Sequence, residues 1–186
     1  MISIQMLYAT MLYEIENIIW DVICFSETKV KESKIELLDE HGYKLFLSGN
    51  DTSRSNGVGF LVNKSYVPLI DDYQAISDRL AVLTLKTKFS KITLIQRYLP
   101  TSSYSVEDIT DIYNQIEAVM DKVPKKDHLF LGDFNAKLGD LNMDHPTAVG
   151  KHTIGKANER GELLSKFCTR KLNGINQKQT SEYPEL

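Results

Sequence analysis

Leu80-Ala81-Val82-Leu83-Thr84-Leu85, then Thr87-Lys88-Phe89-Ser90, then Ile92 through Tyr98, is the stretch that decides the fold. The nearly unbroken apolar run from Leu80 to Leu83 predicts a strand buried on both faces. Thr87 to Ser90 is short and polar, which suits the turn of a hairpin into the Ile92–Tyr98 strand. Elsewhere helical and strand patterns alternate, and a hairpin here interrupts that alternation. The mixture favours stacked β-sheets flanked by helices over a simple parallel sheet. The expected class is therefore α/β (α+β), an α/β sandwich.

Working back toward the N-terminus, Gly57 to Val62 reads as a strand, and Ser48 to Asn56 as a surface loop rich in Ser, Asn, Asp and Gly. Leu45-Phe46-Leu47 is a short strand. Ser33 to Glu40 is expected to be a polar helix, closed by the glycine of His41-Gly42-Tyr43. Asp21 to Phe25 reads as a buried strand ending at Ser26-Glu27-Thr28, and Leu7, Met11, Leu12, Ile15, Ile18 and Ile19 fall on one helical face. Toward the C-terminus, Ser105 to Asp108 matches a capping box. It opens a helix whose apolar face is Ile109, Ile112, Tyr113, Ile116, Val119 and Met120. His128 to Leu131 is a short buried strand delivering Gly132-Asp133. Ala136 to Ala157 is irregular, as functional loops of that length often are. A helix from Glu159 to Cys168 and a weak strand near Ile175 complete the pattern.

Composition bounds the answer. With 186 residues, 42% of them hydrophobic, the chain supports one core and one domain. The net charge is only -3 and the sequence pI about 5.8. That counts against an autonomous tight DNA binder, which needs basic excess to neutralise phosphate. It does not count against a nuclease that meets phosphate through a bound cation. Cys24 and Cys168 each sit in an apolar periodic setting and are expected to be free buried thiols, which points to an intracellular compartment, nuclear or cytoplasmic. No apolar run approaches membrane-span length, so no membrane partner is expected.

Three strand ends carry polar residues that a fold alone does not require: Glu27, Tyr98, and Asp133 with Asn135. Sheet-based enzymes collect working groups at such ends because the sheet fixes the backbone while the tips face solvent. Glu27 suits a hard cation, which often takes one or two carboxylates and completes its shell with water and substrate phosphate. Asp133 suits orientation or deprotonation of a water, Asn135 donation to a phosphate oxygen, and Tyr98 a bond to phosphate or to a leaving oxygen. Each has an ordinary reading too. Glu27 fits a solvated strand-end charge or a turn cap, Tyr98 a packing residue, and Asp133-Phe134-Asn135 a plain turn.

The ordered set Ser26-Glu27-Thr28-Lys29, Gly57-Val58-Gly59-Phe60-Leu61-Val62, Ser77-Asp78-Arg79-Leu80, Tyr98-Leu99-Pro100-Thr101 and Gly132-Asp133-Phe134-Asn135-Ala136 resembles the endonuclease/exonuclease/phosphatase superfamily. Asn158-Glu159-Arg160-Gly161-Glu162-Leu163-Leu164 with Phe167-Cys168 extends the likeness toward the apurinic-type endonuclease domain of non-LTR retrotransposons. The resemblance implies a four-layer DNase I-like sandwich, with 1–186 forming a single partial domain truncated at both ends. It implies Glu27 as metal ligand, Tyr98 beside the scissile phosphate, and Asp133 with Asn135 as the pair that positions water and contacts phosphate. It also implies Mg²⁺, with Mn²⁺ as the alternative ion, and DNA as the partner, weakly held here.

The family pattern also has an opening strand that ends in an asparagine, and a terminal Asp-His pair. Neither is found in this sequence, so little hydrolysis is expected of the isolated chain. Asp127-His128 precedes the strand that delivers Asp133 and so lies on the wrong side of that motif, Asp144-His145 belongs to the long loop where the terminal pair does not fall, and His41 and His152 match no role. Leu172 to Asn176 reads as a degraded family strand. Two alternatives stay open: a non-catalytic remnant acting as a binding module, and a phosphatase of the same superfamily.

Overall fold

A computed structural model describes residues 12–15, 17–38, 40–52, 55–100, 104–122, 128–142, 144–145, 148–150 and 152–179, the last eight of these by backbone alone. The described chain divides into two compact units, residues 1–98 with 123–132 and residues 99–122 with 133–186.

The first unit is a pair of four-stranded sheets. One holds β1 (Val22–Ser26), β2 (Lys34–Leu38), β3 (Tyr43–Ser48) and β4 (Val58–Val62) in the order β1-β4-β3-β2, antiparallel throughout. The other holds β5 (Ile70–Ser77), β6 (Leu80–Lys86), β7 (Lys91–Tyr98) and β8 (His128–Asp133) in sequence order. The expected hairpin is present: β6 and β7 pair from Leu80↔Arg97 to Lys86↔Lys91, and Thr87 N donates to Ser90 O at 2.8 Å across the turn. Leu80 to Leu85 are all buried, as the unbroken apolar run required.

Side chains from both sheets interlock between them. Phe46, Val58, Phe60 and Val62 meet Ala81, Leu83, Leu85, Leu94 and Tyr98 in one cluster. Tyr73 adds its ring at 4.7 Å from Phe46. Each such side chain contributes about 1.5–3 kcal/mol on leaving water. The opposite face of the first sheet carries a second cluster, Leu45, Leu47 and Leu61 with Ile15 and Val30.

In the second unit, α1 (Val106–Met120) and α2 (Glu159–Gln179) are the helices. The capping box is formed as expected: Asp108 N donates to Ser105 Oγ at 3.1 Å, and Ser105 N to Asp108 Oδ2 at 3.0 Å. Such a cap stabilises by about 1 kcal/mol. Ile109, Tyr113 and Ile116 are the buried residues of the expected apolar face. The Tyr113 ring stacks on Phe167 of α2 at 4.8 Å. No helix among the described residues is long and apolar enough to cross a membrane.

Several expectations are corrected. Ser33 to Glu40 is not a helix but contains edge strand β2, paired from Lys34↔Leu47 to Leu38↔Tyr43. The open edge of β3 supplies the hydrogen bonds, and that tertiary partner overrides the local polar pattern. Gly42 is still needed for its positive φ of 70°, but it closes a hairpin rather than a helix. Ile18 and Ile19 lie beyond the helical residues 12–15 and are exposed; the earlier part of that expected helix lies outside the described residues. β5 has no counterpart in the sequence reading, because bulges at Ile70/Asp72 and Ala75/Ser77 break the two-residue period. The β8 strand is an edge with Leu129 exposed, not a buried strand. The helix expected at Glu159–Cys168 runs on to Gln179, so residues 172–176 are helical and the weak strand near Ile175 is not formed. Both cysteines are free, as expected, and burial pushes the Cys24 thiol up to about 11.

Gly132 adopts φ +139°, a region open essentially to glycine, and a Cβ there would overlap the Arg97 carbonyl oxygen of β7. Gly132→Ala is therefore expected to cost roughly 2–4 kcal/mol. Urea unfolding followed by circular dichroism checks this, and a loss under about 0.5 kcal/mol, the level of a neutral surface change, would refute it.

Candidate functional site

Glu27 follows β1 directly. Its backbone is left-handed, at φ 55°, and so is that of Lys29, at φ 53°. A glutamate pays a steric cost of about 1–2 kcal/mol there, which a solvated strand-end charge has no need to bear. Two backbone bonds hold the turn: Thr28 N donates to Gly57 O at 3.1 Å, and Lys29 N to Asn56 O at 2.7 Å. Gly57 itself leaves no room for a side chain, because a Cβ would overlap the Thr28 hydroxyl.

Tyr98 ends β7, on the facing sheet. Its ring belongs to the core between the sheets, while its hydroxyl donates to Glu27 Oε1. Two residues earlier on the same face, Gln96 Nε2 donates to Phe25 O and to Ser26 Oγ, each at 3.0 Å. The period of two along β7 thus ties the strand end carrying Glu27 to the strand end carrying Tyr98. These two sequence-predicted residues are brought together. The Tyr98 ring also lies under the Arg79 guanidinium, 5.0 Å from its centroid.

In the second unit Asp133 and Asn135 form a compact turn. Asn135 N donates to Asp133 Oδ1 at 2.9 Å, and its backbone is left-handed at φ 47°. Asn135 Nδ2 donates to Leu99 O at 2.7 Å, and Leu99 N to Asp133 O at 2.8 Å. The Asp133 side is exposed to solvent, and the second N–H of the Asn135 amide remains for another acceptor.

The Asn158-Glu159-Arg160-Gly161 element gains a role that spacing did not reveal. Asn158 Oδ1 accepts from Lys137 N at 3.0 Å and from Gly161 N at 2.9 Å, so it caps α2 and holds the segment just after Asn135. A Cβ on Gly161 would overlap the Lys137 carbonyl oxygen. Arg160 is buried and donates to the carbonyls of Tyr104 and Ser105. Asp78 and Arg79 form the turn between β5 and β6, a role that local pattern does not reveal because β5 itself is hidden by its bulges. Three of the four histidines engage elsewhere or stand in solvent, and the fourth, His128, has a buried Nε2 with no partner among the described residues. His41 stacks on Tyr43, His145 Nδ1 lies 3.4 Å from Thr169 Oγ1, His128 opens β8, and His152 is exposed.

Among the described residues no three acidic, histidine or cysteine side chains gather as a cage. That donor set does not suit a closed zinc site. A hard cation such as Mg²⁺ is commonly held by only one or two carboxylates with water and substrate phosphate, and Glu27 offers one exposed carboxylate.

The packed pair of sheets with accompanying helices makes this a DNase I-like α+β protein, and solved structures agree. The endonuclease domain of TRAS1, a telomere-specific non-LTR retrotransposon, matches with TM-score 0.59 and 18% identity over 88% of this chain and 64% of that one. The 3′ phosphatase NExo from Neisseria, bound to product DNA hairpin, matches with TM-score 0.57 and 18% identity, covering 76% of this chain and 57% of that one. Residues 8–181 match the profile of the Endonuclease/Exonuclease/phosphatase family, and the chain belongs to that family. It is 30% identical over 156 residues to craniofacial development protein 2 of Bos taurus; the match covers 83% of this chain and 26% of the length of that relative.

The left-handed backbone of Glu27 yields a clean comparison. Glu27→Gly and Glu27→Ala both remove the carboxylate, but only Gly relaxes the φ of 55°. Glu27→Gly is expected to be more stable than Glu27→Ala by about 1 kcal/mol. Parallel urea titrations measure the difference, and equal midpoints would show that the turn is not strained.

Proposed function

We propose that this chain carries the cation-holding and water-directing part of a divalent-metal phosphodiesterase acting on DNA, within one family domain. The observation that carries the reading is Glu27: an exposed glutamate kept in a costly left-handed turn, with its carboxylate on the hydroxyl of Tyr98. Strain retained at an exposed acid is more economically explained by function than by folding. Family membership supplies the reaction class, hydrolysis of a phosphate ester.

Glu27 would hold Mg²⁺, with Mn²⁺ as the alternative, and the bound ion would supply charge stabilisation for the phosphoryl group. Tyr98 donates its hydroxyl to Glu27 and holds the carboxylate in one orientation, and the same hydroxyl is suited to turn to a phosphate oxygen. Asp133 directs a water through its exposed carboxylate and accepts its proton. Asn135 donates its second amide N–H to a phosphate oxygen. DNA is favoured over small phosphate esters because the neighbour NExo is bound to a DNA hairpin and the neighbour TRAS1 domain is an endonuclease. His41 and His145 have other partners and His152 is exposed, while His128 opens β8 with its Nε2 buried, so turnover by this chain alone is expected to be very low.

Two measurements test the reading. Calorimetric titration with Mn²⁺ should show binding to the wild-type chain that Glu27→Gln removes; equal binding by both would sink the assignment of Glu27. Supercoiled plasmid bearing abasic sites should be retained and nicked at most slowly with Mg²⁺. Robust nicking abolished by Asp133→Ala would establish a full enzyme instead, and hydrolysis of inositol phosphates without any nicking would refute DNA as substrate.

A further inference from the structure

Asp78 and Arg79 make the turn between β5 and β6, and together they reach both partners of the Glu27–Tyr98 hydrogen bond. On the tyrosine side Arg79 O accepts from Tyr98 N at 3.0 Å, extending the β6–β7 ladder by one pair beyond Leu80↔Arg97. That register puts the Arg79 and Tyr98 side chains on one face. The guanidinium lies over the ring at 5.0 Å, and Nη1 donates to Tyr98 O at 3.5 Å. The ring therefore has a cation on its face while its hydroxyl meets a carboxylate.

On the glutamate side the link runs through Asp78. Its carbonyl accepts from Gly57 N at 2.8 Å. Its carboxylate Oδ2 accepts from Asn56 Nδ2 at 2.8 Å and from Asn50 Nδ2 at 3.1 Å. Asn56, left-handed at φ 57°, and Gly57 in turn offer the carbonyls that hold Lys29 N and Thr28 N, the two amides that follow Glu27. A plain two-residue connection needs neither a guanidinium on a neighbouring ring nor two carboxamides on one carboxylate.

From this arrangement we infer that the Asp78-Arg79 turn is the positioning element of the Glu27–Tyr98 pair. Asp78 sets the turn that aims the Glu27 carboxylate, and Arg79 sets the ring that carries the Tyr98 hydroxyl. The inference rests on the reading of that pair as the cation- and phosphate-engaging groups. Neither Asp78 nor Arg79 need touch the ion. Partners that orient a ligand in this way typically govern metal affinity by about 10–100-fold.

The test uses the full chain, Mn²⁺ as probe ion, and amide hydrogen exchange with tyrosine ring resonances as readouts independent of activity. Asn56→Gly is the informative variant, because glycine tolerates the positive φ and Asp78 keeps its charge while one latch bond is lost. Exchange at Thr28 and Lys29 should rise about tenfold or more in Asn56→Gly and Asp78→Ala, with β6 and β7 amides unchanged, and Mn²⁺ affinity should fall about tenfold. Asp78→Asn, which keeps an acceptor oxygen, should recover part of both. Arg79→Lys should shift the Tyr98 ring resonances and weaken Mn²⁺ binding, leaving Thr28 and Lys29 exchange as in wild type. Unchanged exchange in both latch variants would overturn the inference, as would faster exchange with Mn²⁺ affinity intact. A wild-type chain that binds no Mn²⁺ would refute the metal reading itself, and exchange and ring shifts would then decide the positioning on their own.

Discussion

The interlocking of apolar side chains between the two sheets is the constraint on which the first unit depends. Phe46 and Phe60 from one sheet and Leu83 and Leu94 from the other are removed from water together, and neither sheet can bury its inner face without its partner. Once that layer is packed, the two-residue period of each strand dictates which residue reaches which strand end. Gln96 is carried to β1, Tyr98 to Glu27, and Gly132 against Arg97. The polar contacts follow from the packing and refine it. Alone they could not hold it, since each hydrogen bond nets only about 1 kcal/mol.

Several departures from the ordinary fall on or beside the candidate residues of each unit. Glu27, Lys29, Asn56 and Asn135 are left-handed without being glycine. Arg97, beside Tyr98 in sequence, is almost wholly buried, and its Nε and Nη1 find no partner among the described residues. Burial, with a smaller effect of the Arg79 charge, brings its guanidinium down to about 10, while Asp78 opposes that change. Buried charge and backbone strain both oppose folding, so a fold selected for stability alone would shed them. In the first unit they fall beside Glu27 and Tyr98, which sets those strand ends apart from the regular sheet around them.

Much of this was legible in the sequence. The apolar run of β6, the β6–β7 turn and the Ser105–Asp108 capping box are local signals, and each formed as read. Glu27 and Tyr98 stand out as strand-end residues, but no local signal says that they touch, because 71 residues separate them. What could not be read depended on partners distant in the chain. β2 is a strand because β3 has an open edge, β5 is hidden by two bulges, and residues 172–176 continue a helix that local pattern had ended at Cys168. The roles of Asp78, Arg79 and Asn158 were invisible for the same reason: the amides and carbonyls they meet lie far away in sequence.

By itself, then, the sequence determined the buried run of β6, where its turn and the Ser105 cap must fall, and which family's motifs the chain bears. Periodicity, glycine placement and capping chemistry act over a few residues and can be read from a few residues. Only the tertiary structure decided that the Glu27 carboxylate meets the Tyr98 hydroxyl, that its backbone is strained, and that one charged turn braces both. Those facts arise from the packing of one sheet on another, a free-energy balance summed over the whole core that no single stretch of chain contains.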